Sequence, residues 1–415
     1  MAEKTSHHSM EKLVDHALLK SYGAVSTPAR IVDLMTELAG VKHWEGLEIL
    51  EPGAGFCEFL SRIRDKHPRN RFTAIEINSE IFKIAAAMHR NIELILEDFL
   101  LWAPDKKFDL IMGNPPYGII GDQSHYPIHA LKEKRKSYRV AFKTWFGKYN
   151  IYGAFIEKSI NLLKDRGKLV FIVPATFMVL DDFNLLRKFL AVSGKSKIYY
   201  LGPGIFANRL VSTAIMVFEK GLKGLALFDA VNQGDIIQCH AKDEYEGAII
   251  RFENDQTRGF EKGKVPFGDI FEIHFAARSP EIKNHPLTRT KPGQGLAPVL
   301  TGRNLRKGRI DYKNCFSGLY FPQKKAGELR IFYNSRHIVV GHTKGGRVVA
   351  AVDELCYPWR EELHLTPKIK GLALKPVVDY LNSEEVQHYM KTLYKEITPH
   401  LTITQLKILP IFRSY

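Results

Sequence analysis

At 415 residues the chain is too long for one average domain and suits two, each able to bury its own core. Hydrophobic residues at 45% and charged residues at 25% exclude a disordered or membrane-embedded class, since the longest apolar stretch, residues 169–180, is interrupted by Pro174 and too short for a bilayer. A formal net charge of +15 favours a polyanionic partner through counterion release, although basic proteins with no acidic partner share it.

Residues 1–12 lack the apolar core of a signal peptide. Cys57, Cys239, Cys315 and Cys356 are too scattered for a disulfide framework or a zinc cluster, so a reducing cytoplasm and no metal are expected. In chain order, β-like runs are predicted at 46–50, 72–77, 92–96, 108–112, 167–173 and 211–219, and helical patterns at 58–64, 155–163 and 182–191. Such alternation is how a parallel sheet of βαβ units reads, so the first half is expected to be one doubly wound α/β domain. Beyond about Gly221 glycine and proline become frequent, basic residues cluster between Arg278 and Arg309, and a helical pattern covers 376–395. Two domains are expected, residues 1–225 and 226–415.

The segment Ile49-Leu50-Glu51-Pro52-Gly53-Ala54-Gly55 runs a strand into a tight glycine turn where backbone can approach a ligand. It lacks the third glycine of a dinucleotide fingerprint, and no Gly-Lys-Ser/Thr follows, so a phosphate cradle is disfavoured and a plain strand-to-helix connector fits equally. Glu76 ends the next strand, where ribose hydroxyls need a carboxylate. Asp98 follows the third run, with Phe99 placed to cover a purine while Asp98 accepts its amino proton; alone, Asp98 is also readable as a surface acid. Three acids at successive strand ends point to a nucleoside.

This series resembles the pocket of the class I S-adenosylmethionine methyltransferases. The resemblance implies that Glu51, Glu76 and Asp98, with Gly53, Gly55, Ile77 and Phe99 beside them, hold the amino-acid, ribose and adenine parts of the donor. An acidic pocket also suits its sulfonium charge. Thr27, in Ser26-Thr27-Pro28, matches a donor-binding segment of one subgroup of amino methyltransferases. It equally reads as a helix cap with Pro28 in the first turn.

The most specific signal is Asn114-Pro115-Pro116-Tyr117, directly after the fourth strand. Methylating an aromatic amine requires acceptors that localise the nitrogen lone pair. The Asn114 side-chain oxygen and the Pro115 carbonyl qualify, and the Pro115-Pro116 step stiffens both. Asn114 and Pro116 also border the donor pocket, and Tyr117 offers a flat face for a planar substrate. The tetrapeptide also occurs in enzymes that methylate protein glutamine or RNA, and a proline-stiffened surface turn would look similar.

From Thr27 onward the sequence resembles the TaqI-type DNA adenine-N6 methyltransferases. The resemblance rests on 117–119, 148–155, 173–176, 275–280, 301–304, 342–345, 357–362 and 399–402. It implies a Rossmann-like class I methyltransferase sheet at 1–225 that binds S-adenosyl-L-methionine, followed by a mixed α+β target-recognition domain at 226–415. It also implies transfer to N6 of a flipped adenine in double-stranded DNA, within a restriction-modification system that can include a separate endonuclease. TCGA is the site expected, and a monomer the state. After Tyr199-Tyr200-Leu201-Gly202, Phe206 is nominated to pack on the flipped base, in a loop that departs from the family by one inserted residue; Phe206 as ordinary core competes. Arg209, Arg278, Arg303, Lys344 and Arg347 are nominated as DNA contacts, and Pro399 as the wedge beside the orphaned base. The basic run 132–148 is either part of a DNA cleft or a solvated face. An RNA or protein-glutamine methyltransferase, and a non-enzymatic DNA-binding specificity subunit, stay as alternatives.

Overall fold

A computed structural model of the chain describes residues 26–121, 127–206, 211–232 and 235–413. One compact unit runs to Ile250 and a second begins at Arg251.

The first unit starts with α1 (Ala29–Leu38), then alternates β1 (Glu48–Pro52), α2 (Glu58–Lys66), β2 (Arg71–Glu76), α3 (Ser79–Met88), β3 (Glu93–Leu96) and β4 (Phe108–Gly113). It continues through α4 (Arg135–Ala141), α5 (Tyr152–Leu162), β5 (Leu163–Pro174), α6 (Asn184–Ser193), β6 (Gly194–Gly202), β7 (Thr213–Lys220), β8 (Leu225–Asp229) and β9 (Ile237–Lys242). The nine strands form one sheet in the order β9-β8-β6-β7-β5-β4-β1-β2-β3. β1 is central, with Ile49 opposite Phe72 on one side and Leu110 on the other, which is why Ile49 and Leu50 are fully buried and the run is continuously apolar. β4, β1, β2 and β3 are mutually parallel, so their carboxyl ends share one edge. That alignment brings Glu51, Glu76, Asp98 and Asn114 to the same side of the sheet.

The boundary expected at 225/226 is corrected. β8 pairs in parallel with β6, Leu227 opposite Ile198, and β9 closes against β8, so both strands belong to the first sheet. The glycines near 221 are turn residues: Gly221 and Gly224 have φ of 79° and 112°, and a Cβ on Gly224 would lie 2.7 Å from the Lys242 carbonyl. Strand β6 carries Tyr199-Tyr200-Leu201-Gly202 and was absent from the predicted runs.

In the second unit β10 (Phe271–Phe275), β11 (His337–Val340), β12 (Ala350–Asp353) and β13 (Leu363–Pro367) form an antiparallel sheet in the order β10-β13-β11-β12. Its core gathers Leu300, Phe321, Phe332, Val339, Ala351 and Trp359. The helical pattern at 376–395 is two helices, α7 (Leu374–Leu381) and α8 (Glu384–Tyr394), because Ser383 caps the second with its hydroxyl. Asn382, between them, turns its amide to the edge of β12, accepting from the Ala350 N–H at 3.0 Å and donating to the Ala350 carbonyl at 2.8 Å. Gln387 does the same for Val348, with both bonds at 3.0 Å.

Asn382→Ala strands the Ala350 N–H, whereas the Ala350 carbonyl keeps the Gly308 N–H at 2.9 Å, and is expected to destabilise the second unit by about 1–3 kcal/mol. Hydrogen exchange at the Ala350 amide checks this, and unchanged protection would refute it.

Candidate active site

Between β1 and α2 the backbone is left-handed at Gly53, Gly55 and Cys57, with φ of 63°, 53° and 57°. A Cβ at Gly53 would lie 3.4 Å from the Phe155 ring and 3.6 Å from Pro116 Cδ, whereas one at Gly55 would meet nothing within 4 Å. Gly53 therefore lets α5 and the 114–117 loop close on the turn, and Gly55 leaves its face open.

The acids at the strand ends are buried and held mainly by backbone donors. Glu51 accepts from the N–H groups of Leu60 and Phe59, at 2.9 and 3.4 Å, in the first turn of α2. Burial pushes its carboxyl well above the usual range, with Glu58 and Glu76 adding to the rise. Glu76 accepts from Gly55 N–H at 2.9 Å and Asn78 N–H at 2.8 Å, cross-linking two turns; burial raises its pKa, and those bonds oppose the rise. Asp98 accepts from Leu100 N–H at 3.1 Å on one oxygen, and from Lys134 Nζ and Tyr138 OH, both at 2.8 Å, on the other.

A fourth acid, Glu58, escaped the sequence reading although it opens the helix after the glycine turn. It accepts from the Ser26 hydroxyl and, at 2.9 Å, from Thr27 N–H. Thr27 is not a helix cap: α1 begins after Pro28 with no capping side-chain bond, and the Thr27 hydroxyl accepts from Asn114 Nδ2 at 2.9 Å. The relay Glu58–Thr27–Asn114 spends the amide nitrogen as a donor and turns the Asn114 oxygen to the opposite side.

Tyr117 is buried, donates to the Ile172 carbonyl at 2.8 Å, and sets its ring edge-on to Tyr152 and Phe206, with centroids 6.3 and 6.0 Å away. Gly118 N–H donates to Asn150 Oδ1 at 2.9 Å, and Ile151 N–H to the Gly118 carbonyl at 2.9 Å, so the 148–155 stretch braces this loop. Thr27, Glu51, Gly53, Gly55, Glu76, Ile77, Asp98, Phe99, Asn114 and Pro116 all line one cleft of about 1040 Å³, counting the part open to solvent. Glu58, Tyr138 and Phe155 line it too, with Phe155 against Phe99 at 5.1 Å. Pro115 is buried beside the cleft, and Tyr117 and Phe206 form the aromatic pair beyond its lining.

In the second unit several sequence stretches converge on buried Glu362. Its carboxylate accepts from His342 N–H at 2.6 Å and from Gly302 N–H, and burial pushes its pKa up to about 7. Lys344 Nζ donates to the carbonyls of Gly302 and Leu305, so its ammonium is committed to tying loops together. His342 stacks on His400 at 4.9 Å, and Gly346 N–H donates to the Pro399 carbonyl at 3.1 Å. Arg303, Arg347 and Pro399 are exposed on these loops. Arg278 is exposed at the start of a short helix, Ser279–Lys283, and among the described residues it makes no hydrogen bond to this cluster. Arg209 lies outside the described residues.

A sheet whose parallel strands end in a buried acidic cleft, followed by a rigid proline loop, defines a class I methyltransferase that uses S-adenosylmethionine. The carboxylates suit a cationic donor, and Gly55 leaves the room its backbone approach needs. Comparison with known proteins refines the class. Residues 33–204 match the Eco57I restriction-modification methylase family, and residues 297–411 match the TaqI-like C-terminal specificity domain. The Type II methyltransferase M.TthHB8I of Thermus thermophilus is 49% identical over 397 residues, covering 94% of this chain and 91% of that protein. The Type II methyltransferase M.BstVI of Geobacillus stearothermophilus is 30% identical over 217 residues, 41% of this chain and 36% of that one. A nuclease-deletion mutant of the Type ISP restriction-modification enzyme LlaGI shares the fold, with TM-score 0.54 and 13% identity over 88% of this chain and 51% of that one. The chain belongs to the type II methyltransferases of restriction-modification systems, with a TaqI-like specificity domain at its C-terminal end.

Two outcomes follow from the buried acids. Because burial raises Glu51 and Glu76, they take up protons at a higher pH than free carboxyls and then lose their attraction for the cationic donor. Donor affinity is expected to fall as pH falls, with protons released on binding. Calorimetry in buffers of different ionisation enthalpy checks this, and pH-independent affinity would contradict it. For Glu362 the folded pKa of about 7 exceeds the ordinary carboxyl value of 4.5, so its contribution to stability is full below 4.5 and lost as pH rises through about 7. Glu362→Gln is expected to flatten that dependence in the exchange protection of the His342 amide; an unchanged pH profile would count against it.

Proposed function

We propose that the chain methylates N6 of adenine at a specific site in double-stranded DNA, as the modification enzyme of a restriction-modification system. The observation that carries this reading is the Glu58–Thr27–Asn114 relay, which fixes an amide oxygen beside the donor cleft and next to an aromatic pair. The Asn114 oxygen and the Pro115 carbonyl accept the two amino hydrogens of the target and draw its lone pair out of the ring. Bound S-adenosylmethionine would supply the methyl group, the pair of its carbon–sulfur bond leaving with sulfur as the bond to N6 forms, and N6 would release one proton to solvent. Preorganisation of the acceptors is what the protein adds.

A base inside a duplex cannot reach this loop, so the adenine leaves the stack. Tyr117 and Phe206, now edge to face at 68°, separate to take it between them. The unit up to Ile250 is assigned as the catalytic domain and the rest as the target-recognition domain. Arg278, Arg303 and Arg347 are assigned to DNA, Lys344 to organising the recognition loops beneath them, and Pro399 to the gap beside the unpaired base. TCGA as the site, a partner endonuclease, a monomeric state and a cytoplasmic setting are carried over from the family resemblance.

Incubation with tritium-labelled donor and a TCGA duplex is expected to yield N6-methyladenine after nucleoside digestion. Label in cytosine, or only in RNA or protein, would overturn the proposal. Asn114→Ala is expected to lower kcat by about 100-fold or more while DNA affinity holds. Full activity in that variant would refute the mechanism.

A further inference from the structure

Asp98 is the acid that the donor's adenine end requires, yet two of the three hydrogen bonds to its carboxylate come from a segment rich in exposed cations. Lys134 and Tyr138 both reach the same carboxylate oxygen at 2.8 Å. Tyr138 is fully buried and lines the donor cleft. A carboxylate offers about four acceptor positions, and these bonds with Leu100 N–H leave one for a ligand's amino group. At its far end the segment is anchored again, by Glu157 of α5, which accepts from the N–H groups of Lys143 and Thr144 at 3.1 and 2.9 Å.

The outer side has the opposite character. Residues 131–148 contain Lys132, Lys134, Arg135, Lys136, Arg139, Lys143 and Lys148 against the single acid Glu133. Lys132, Arg135, Lys136, Arg139 and Lys143 are exposed, and among the described residues none of these five is ion-paired. Arg135 and Arg139 stand one turn apart on α4 and share a face. Val140 and Phe146 are also exposed there, at 83% and 54%. Helix α4 is therefore two-faced, with a hydroxyl turned into the donor pocket and a row of uncompensated cations turned outward.

We propose that residues 131–148 form a ledge for the phosphates of the DNA substrate, tied to the donor pocket by Lys134 and Tyr138 through Asp98, so that donor and DNA bind cooperatively. The inference rests on the proposed DNA reading. A donor that fills the last acceptor position of Asp98 holds Tyr138 and Lys134 in place, and with them the outward cations. The second ligand then meets a ledge already ordered, and the coupling is reciprocal. Tyr138 and Lys134 are positioning residues, since they act through Asp98.

The test is DNA affinity by fluorescence anisotropy across a salt series, with a TCGA duplex, with and without S-adenosylhomocysteine. For the Arg135→Gln/Lys136→Gln/Arg139→Gln variant, the slope of log affinity against log salt is expected to become shallower by about one per lost cation, about three in all. Its donor affinity without DNA is expected to stay unchanged. In the parent protein S-adenosylhomocysteine is expected to tighten DNA about 5-fold or more, and in Lys134→Met/Tyr138→Phe the two DNA affinities are expected to coincide. Tyr138→Phe keeps the ring, so loss of coupling with normal expression is not a folding defect. An unchanged salt slope in a variant that still methylates DNA overturns the ledge and leaves the proposed function standing. Absence of any DNA methylation by the parent protein would overturn that function itself. Binding of anionic vesicles by the ledge, with the DNA salt slope unaltered, would assign the surface to a membrane and also overturn the inference.

Discussion

Keeping carboxylates in a buried cleft requires hydrogen-bond donors close by, and most features of the first unit serve that requirement. Glu51 is held by the first turn of α2, and Glu76 by the glycine turn and the start of α3. The parallel sheet makes this possible, because strands with aligned carboxyl ends deliver acids and helix starts to the same edge. Desolvation still raises Glu51 and Glu76, so the cleft stores an unfavourable charge state that a cationic ligand relieves. The pocket's chemistry thus follows from where the strands stop.

Much of this was legible in the chain. Apolar runs that give way to Glu51, Glu76 and Asp98 mark the strand ends, and what stands out is that the acid following each run stays buried. The Asn114-Pro115-Pro116-Tyr117 loop was legible because it is a contiguous motif, although the partners of Asn114 and Tyr117, Thr27 and Ile172, lie far away in the chain. What stayed hidden depends on distant partners: Glu58 meets Thr27 across 31 positions, and Tyr138 meets Asp98 across 40. No periodicity encodes such meetings. The run 132–148 reads as a charged face because six of its seven cations surround one buried tyrosine, and the tyrosine's destination is set by the fold. The misplaced boundary has a local cause, since Gly221 and Gly224 serve a tight turn and carry the same signature as a linker.

In the second unit the stretches that carry the family resemblance are far apart in sequence and meet around one buried carboxyl, Glu362. Two backbone N–H groups satisfy it, and Lys344 ties the same loops through carbonyls. Lys344 is nominated as a DNA contact because it is a basic residue within a stretch that carries the family resemblance. Its ammonium donates to the Gly302 and Leu305 carbonyls, while Arg303 and Arg347 keep exposed side chains on the loops it joins.

The side-chain amides of Asn382 and Gln387 copy the donor and acceptor pattern of a neighbouring strand along the outer side of β12. Helices α7 and α8 thus present a counterfeit strand that occupies the backbone groups of Val348 and Ala350, leaving fewer on that margin to template pairing with another molecule. A domain whose loops must stay available for one particular partner is in this way denied a generic one.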